Sequence, residues 1–436
     1  VNSLAIGALF ALCAWTTDAG AQVAPPAPET LAVGDWQLQP VAEVRVRGEF
    51  RRDVDGLDKG LLLERARLGA DVRRGAIETR VVLQDARALD AATSADPISG
   101  PSPMSVTGAY EAWVEVHTAS LRPSFLRVGR QPVTWGEGRL LGAADWSPTG
   151  RSLDAVRGRF AVGDAAFELL AVALTDPSTS ASLENYGELF GARGEWAIFP
   201  LLALDVYALA RVAEENPSTD LDGSVRGETY TGAVRLHGDA NAWAWGVEGA
   251  YQLGRATSLA ADRAAWAAAG HLSHTFDRVR VLPTARVGLD YATGSASGPT
   301  FRTFDPLLPD VHTWHGAMDL FAWSNEVEAN ARVAIVPFAD TLAAVEYRYA
   351  RLAQPGGVWR SAYLSTIGAV PGSTKGELGH EIDTMLRWLP FASLDVEAGY
   401  SVLVLGDGAR TILGEELLAA PNFSHFAYVK AGLSVP

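Results

Sequence analysis

Lysine is almost missing from this 436-residue chain: Lys59, Lys375 and Lys430 are the only three, so 33 of the 36 basic residues are arginine. Cysteine occurs once, as Cys13, so no disulfide framework is available. No segment supplies the roughly 20 unbroken apolar residues of a membrane-spanning helix. The net charge of -15 and the lack of a basic stripe with interleaved aromatics exclude nucleic acid as a partner. Linkers, low-complexity tracts and composition shifts are lacking too, which argues for one large unit. Catalytic signatures are absent: no HExxH, no GxSxG, no P-loop and no GxGxxG opening a helix. The pairs His271/His274 and His312/His315 are spaced i, i+3, which on a strand sends the two rings to opposite faces, so no metal site is expected. The chain therefore reads as a non-enzyme without a cofactor.

The N-terminus does carry a signal. Leu4 to Trp15 form a short apolar core, and Ala19-Gly20-Ala21 supplies a small-residue cleavage site, so residues 1–21 read as a secretory leader. Residues 22–38, with Pro25, Pro26 and Pro28, read as a flexible lead. An exported chain without a membrane helix is secreted, periplasmic or an outer-membrane barrel.

Alternation decides among these. Glu43, Arg45, Arg47 and Glu49 fall in one phase of a period-two segment, with Val44, Val46 and Phe50 in the other. Arg65, Arg67, Asp71 and Arg73 oppose Leu68 and Val72. Arg157 and Arg159 oppose Val156, Phe160 and Val162. Glu381, Asp383 and Arg387 oppose Ile382, Leu386 and Trp388. Such two-faced segments recur along residues 39–436, separated by Gly/Pro/Asp-rich breaks at 90–105, 176–185, 214–227, 293–300 and 355–357. Breaks alternate between long and short, as in a barrel with extracellular loops at one end and tight periplasmic turns at the other. Tyr110, Trp113, Trp196, Tyr207, Trp243, Trp245, Tyr347, Tyr349, Trp388 and Tyr400 lie near segment ends and suit interfacial aromatic girdles. Ala256–Gly270, rich in alanine, reads as a loop leading into a strand. The expected fold is all-β: a single transmembrane antiparallel barrel of the outer-membrane type.

In such a barrel the charged phase lines a wet lumen. Guanidinium meets a carboxylate with two parallel hydrogen bonds, which lysine cannot do. Arg45, Arg47, Arg65, Arg67, Arg157, Arg159 and Arg387 are the candidate anion-binding residues. Strict alternation puts Arg130 toward lipid unless Gly129 resets the phase with a bulge, and Arg130 joins the set on that basis. Glu43, Asp71, Asp154, Glu381 and Asp383 are the expected charge partners. Their pairing with arginine serves either selectivity or a structural ladder holding the barrel open.

The stretch RVGRQPVTWGEGRLLGAADW (Arg127–Trp146), followed by SLDAVRGRF (Ser152–Phe160), resembles the signature of the alginate export family of outer-membrane barrels. TFDPLLPDVHTWHGAMDLF (Thr303–Phe321), GELGHEID (Gly376–Asp383) and GYS (Gly399–Ser401) are similar to further family segments in the same order. ERARLGADVR and LQDARAL near the N-terminus extend the likeness. This resemblance implies a monomeric barrel of about 18 strands in the bacterial outer membrane, in contact with its lipid and with periplasmic export machinery. It implies passage of anionic polysaccharide of the alginate type, or of related acidic solutes. A low-selectivity porin, a plugged structural barrel and a barrel lipase are the alternatives.

Overall fold

The computed structural model describes residues 30–54, 58–89, 105–117, 124–175, 185–199, 201–213, 227–256, 261–295, 300–416 and 421–435. Eighteen long strands form one antiparallel sheet: β1 Trp36–Arg52, β2 Asp58–Arg74, β3 Ile77–Leu89, β4 Val106–His117, β5 Phe125–Gln131, β6 Leu153–Val162, β7 Ala165–Thr175, β8 Asn185–Phe199 and β9 Leu202–Ala213. They continue as β10 Gly227–Ala240, β11 Trp243–Ala256, β12 Ala261–Thr275, β13 Thr284–Ala292, β14 Glu326–Ile335, β15 Thr341–Leu352, β16 Glu377–Phe391, β17 Leu394–Leu405 and β18 Phe423–Val435. Each pairs with its neighbours in sequence, and β1 pairs with β18 through contacts such as Val44↔Leu433 and Phe50↔Ala427. The sheet is closed and no long edge remains. Helix α1, Asp407–Glu416, packs over the end of β16.

Closure turns the period of two into an inside and an outside. Arg47 and Arg65 are each 3% exposed, whereas Leu169 and Leu289 on the other phase are each 68% exposed. The outer face carries a continuous belt of such residues, among them Val114, Val247, Val345, Leu386 and Val429. An apolar surface that encircles a whole molecule far exceeds what water-soluble proteins tolerate. Acyl chains, which demand no hydrogen bonds, are the solvent it fits.

Aromatics divide between the two faces. Trp243 and Trp388 lie outward near strand ends, as girdle residues should, whereas Tyr347 and Tyr400 lie outward at mid-strand. Tyr110, Trp113 and Tyr207 are buried inside, which corrects the girdle assignment for these three. Each has an inward partner: the Arg67 guanidinium lies 3.4 Å from the Tyr110 ring, Trp113 Nε1 donates to Glu111 at 2.9 Å, and the Tyr207 hydroxyl donates to Glu248.

One boundary differs from expectation. The lead assigned to residues 22–38 already contains structure, because Leu31–Val33 hairpins back onto β1 and β1 begins at Trp36. Pairing starts as soon as a neighbouring strand offers its edge, whatever the local composition. In the alanine-rich stretch, residues 257–260 lie outside the described residues and β12 runs from Ala261, with Ala265, Ala267 and Ala269 facing inward. The leader and most of the breaks at 90–105, 176–185 and 214–227 lie outside the described residues.

Candidate functional site

Three long connections fold into the barrel, and they build the site. Loop A (132–152) joins β5 to β6, loop B (302–325) precedes β14, and loop C (353–376) joins β15 to β16. Loop A packs Val133, Trp135, Leu140 and Leu141 against inward Leu170, Leu189, Leu209 and the small side chains of β12. Alanine on the wall is what leaves room for this filling. Loop B contributes Phe304, Leu307 and Trp323 to the same apolar mass, and its Met318, Leu320 and Phe321 form a second one with Trp359 of loop C and Leu413 of α1. Loops A and B also share backbone: Gly142 N–H donates to Leu308 O at 2.8 Å, and Asp310 N–H to Gly138 O at 2.7 Å. Arg151 Nη1 sits among the carbonyls of Gly142, Leu308 and Pro309 at 2.7–2.8 Å. Buried loop backbone is tolerated at membrane depth only when satisfied within the protein, as it is here.

Next to this apolar filling, whose second mass reaches Phe426 and Tyr428 of β18 and packs against Trp146, lies a charged cluster. There β1 and β2 bring Arg45, Arg47, Arg65 and Arg67 together, four of the sequence-predicted residues. All converge on Asp145–Ser147 of loop A. Arg65 Nη1 reaches Asp145 Oδ1 at 2.8 Å and Arg67 Nη1 the same oxygen at 3.1 Å. Arg45 donates to Asp145 O at 2.7 Å and Ser147 O at 2.9 Å, and Arg47 to Trp146 O at 2.6 Å. Glu43 pairs with Arg65 and Glu49 with Arg47. The Arg47 guanidinium also lies 3.8 Å over the Trp146 ring, whose other stacking partner is His312 of loop B at 3.6 Å. Burial pushes the Asp145 carboxyl up, but Arg65, Arg45 and Arg67 outweigh it and hold it well below the usual carboxylate range. Cations here outnumber anions.

The other predicted residues are dispersed. Arg157 takes Glu168 bidentately at 2.8 Å, and Arg159 reaches Glu195 at 2.5 Å. Arg387 pairs with Asp395 at 2.9 Å near the short-turn end, and Asp71 with Arg80 at 3.2 Å. Glu381 and Asp383 hold loop B rather than arginine: Met318 N–H donates to Glu381 at 3.1 Å and Ala317 N–H to Asp383 at 3.4 Å. Arg130 corrects the sequence expectation. It pairs with Asp154 at 2.9 Å, and both lie in the outward phase, with Val128 and Val156, at the long-loop end of the wall. Gly129 has φ +123, yet the register from Leu126↔Gly158 through Arg130↔Asp154 is unbroken, so no bulge turns Arg130 inward.

Sequence reasoning missed a third group. Arg139 of loop A and Arg286 of β13 both lie over Trp314, at 4.2 and 4.7 Å from its ring centroid, and Trp314 Nε1 donates to Glu137 O at 2.8 Å. Glu137 accepts from Arg235 at 3.0 Å; burial raises its pKa, and His271, Arg235 and Arg139 bring it down to about 2. Glu137, Arg139 and Trp314 all lie inside the family-like motifs, which was the available signal.

A closed 18-stranded barrel with an apolar belt and in-folded, ion-paired loops is a porin-type channel of the outer membrane. Residues 37–417 match the alginate export family, and the chain belongs to it. Comparison with curated proteins gives no match. Among solved structures, the chain is similar to Pseudomonas aeruginosa OccK2 (OpdF) in complex with glucuronate, with a TM-score of 0.59 and 11% identity over 92% of this chain and 98% of that one. It is also similar to Pseudomonas aeruginosa OpdK with vanillate, with a TM-score of 0.55 and 12% identity over 91% and 98%. Pseudomonas aeruginosa OccD3 (OpdP) gives 0.58 and 10% over 93% and 92%. These likenesses establish the fold, and the family establishes an outer-membrane channel for solutes.

Proposed function

We propose that the channel passes acidic solutes of the uronate class, alginate-type polyuronate included, by handing carboxylates along its guanidinium groups. The observation that carries this is the convergence of Arg45, Arg47, Arg65 and Arg67 from two adjacent strands, with Glu43 and Asp145 as the carboxylates that contact Arg65 and Arg67. A fixed local excess of positive charge beside a low-dielectric wall focuses anions even in an acidic protein. Weak serial binding is what conduction needs, and partly satisfied guanidiniums provide it. The acidic ligands printed for two structural neighbours, glucuronate and vanillate, are consistent with this reading. The barrel closes on its own first and last strands, which supports a monomer in outer-membrane lipid.

Planar-bilayer recordings test it. A chloride-side reversal potential in a salt gradient, with current block by glucuronate or oligouronate at millimolar concentration, is the expected result. Cation preference, or no uronate block, refutes it. A low-selectivity porin is the second reading. It is favoured by Arg157, Arg159 and Arg387, each already matched by a carboxylate, and it predicts a reversal potential near zero.

A further inference from the structure

Another inward cluster lies apart from the arginine patch. Glu326 and Glu328 are two residues apart at the start of β14, so the strand period sends both carboxylates inside. Loop B turns back over them and presents His315. Its Nδ1 stands 3.3 Å from Glu326 Oε2 and 3.2 Å from Glu328 Oε2, and ligand atoms of all three residues lie within 4.8 Å of one another. Glu326 is 2% exposed, and neither of its oxygens accepts a hydrogen bond. A buried carboxylate without donors is destabilising unless a cation compensates it.

The spacing leaves room for an ion between the ligand atoms. Charge-assisted N–H to carboxylate bonds close to about 2.7–2.9 Å. Two ligands of one tetrahedral ion, with bonds of about 2.0–2.1 Å, sit about 3.3 Å apart. The observed 3.2 and 3.3 Å fit the second figure, and the shorter also makes a long hydrogen bond while no ion is bound. The backbone that carries His315 is constrained on both sides. Trp314 is hydrogen-bonded to Glu137 O, and Gly316 has φ +86 with Glu381 Oε1 only 2.4 Å from where a Cβ would stand. Asn330 Nδ2, at 3.0 Å, and Arg348 both donate to Glu328 Oε1, while among the contacts of the described residues Oε2 faces only His315 Nδ1, at 3.2 Å. His312 does not share the site: its Nδ1 faces Asp319 at 3.3 Å.

We propose that His315, Glu326 and Glu328 bind one divalent ion of the zinc class, with water completing the shell, and so staple loop B to the barrel wall. One imidazole nitrogen with two carboxylate oxygens is a donor set for such a borderline ion rather than for calcium, which takes six to eight oxygens. The trio Glu78, Glu115 and His117 at the short-turn mouth serves as an internal control, because Arg73 and Arg127 already occupy its carboxylates.

The test uses the full chain refolded in detergent and stripped with chelator, then titrated with Zn2+ by calorimetry and with Co2+ by visible absorption. One equivalent of Zn2+ is expected, with affinity at least thirtyfold lower in His315→Ala and in Glu326→Gln and unchanged in His117→Ala. Co2+ should give ligand-field bands that His315→Ala loses. Heat-modified gel migration confirms closed barrels, and Glu326→Gln keeps the site's shape should His315→Ala fail to fold. No binding by the parent, equal binding by the His315 and Glu326 variants, or loss only in His117→Ala each overturns the proposal.

Discussion

Asp145→Asn removes one charge from the arginine patch and keeps its shape, so it separates the two jobs of that residue. Asp145 is touched by Arg45, Arg65 and Arg67, and Glu43 contributes the second carboxylate. The change therefore raises this group from one net positive charge to two. Breaking a buried ion pair by removing one partner destabilises by about 3–5 kcal/mol. Asp145 is 28% exposed at its side chain, so solvent screening lowers the figure to about 2–3 kcal/mol, felt as weaker docking of loop A. Two readouts follow from one bilayer experiment. Reversal potentials in a salt gradient should move toward the chloride value, and open-channel noise should rise as loop A leaves the wall more often. Arg65→Gln should move the reversal potential the opposite way. A permeability ratio unchanged in both variants refutes the view that this patch sets selectivity. In the parent, the depressed Asp145 pKa means its contribution is complete above the unfolded value of about 3.9 and is lost only as pH falls through the lower folded value. Quiet recordings should thus persist from pH 8 to 5 and become noisy only in stronger acid.

Other substitutions probe separate links. Arg130→Ala leaves the reversal potential unchanged, since its pair with Asp154 faces outward; a shift in selectivity would contradict that placement. Gly150→Ala should lower refolding stability by about 1–3 kcal/mol, because φ is +64 and the added Cβ would lie 2.8 Å from Arg67 Nη2; urea-dependent folding in lipid vesicles reads this. Leu289→Arg puts a charge on the outer belt and should cost about 2–4 kcal/mol if this position lies near the bilayer midplane, measured the same way. A value near zero there places Leu289 at the membrane edge.

Regular wall was legible in the sequence because a strand's face is a local property. Arg45, Arg47, Arg65 and Arg67 could be set inside from parity alone, and closure into a barrel explains why parity held along the chain. Contacts across the lumen were not legible. Asp145 lies a hundred residues from Arg45, and no periodicity links them. Loop residues follow no period at all: Leu307, His312, Asp319 and Asn325 adopt φ of 65, 68, 58 and 50, conformations imposed by packing rather than by residue type. Glu381 and Asp383 had the right phase but the wrong partner, since loop B's backbone offers donors that only a folded loop brings near. Arg130 shows the limit of motif reasoning, because a glycine at positive φ next to it did not change the register. The most family-like stretches were the irregular ones, and these became the constricting loops.

The docking of loop A onto Leu308 and Pro309 carries a consequence for biogenesis. Arg151 meets those carbonyls across 157 and 158 residues of chain. If strands enter the bilayer in order, the narrow passage cannot exist until more than two thirds of the wall is in place. A half-assembled copy, its sheet still open because β1 has not met β18, would carry loop A with no surface on which to dock.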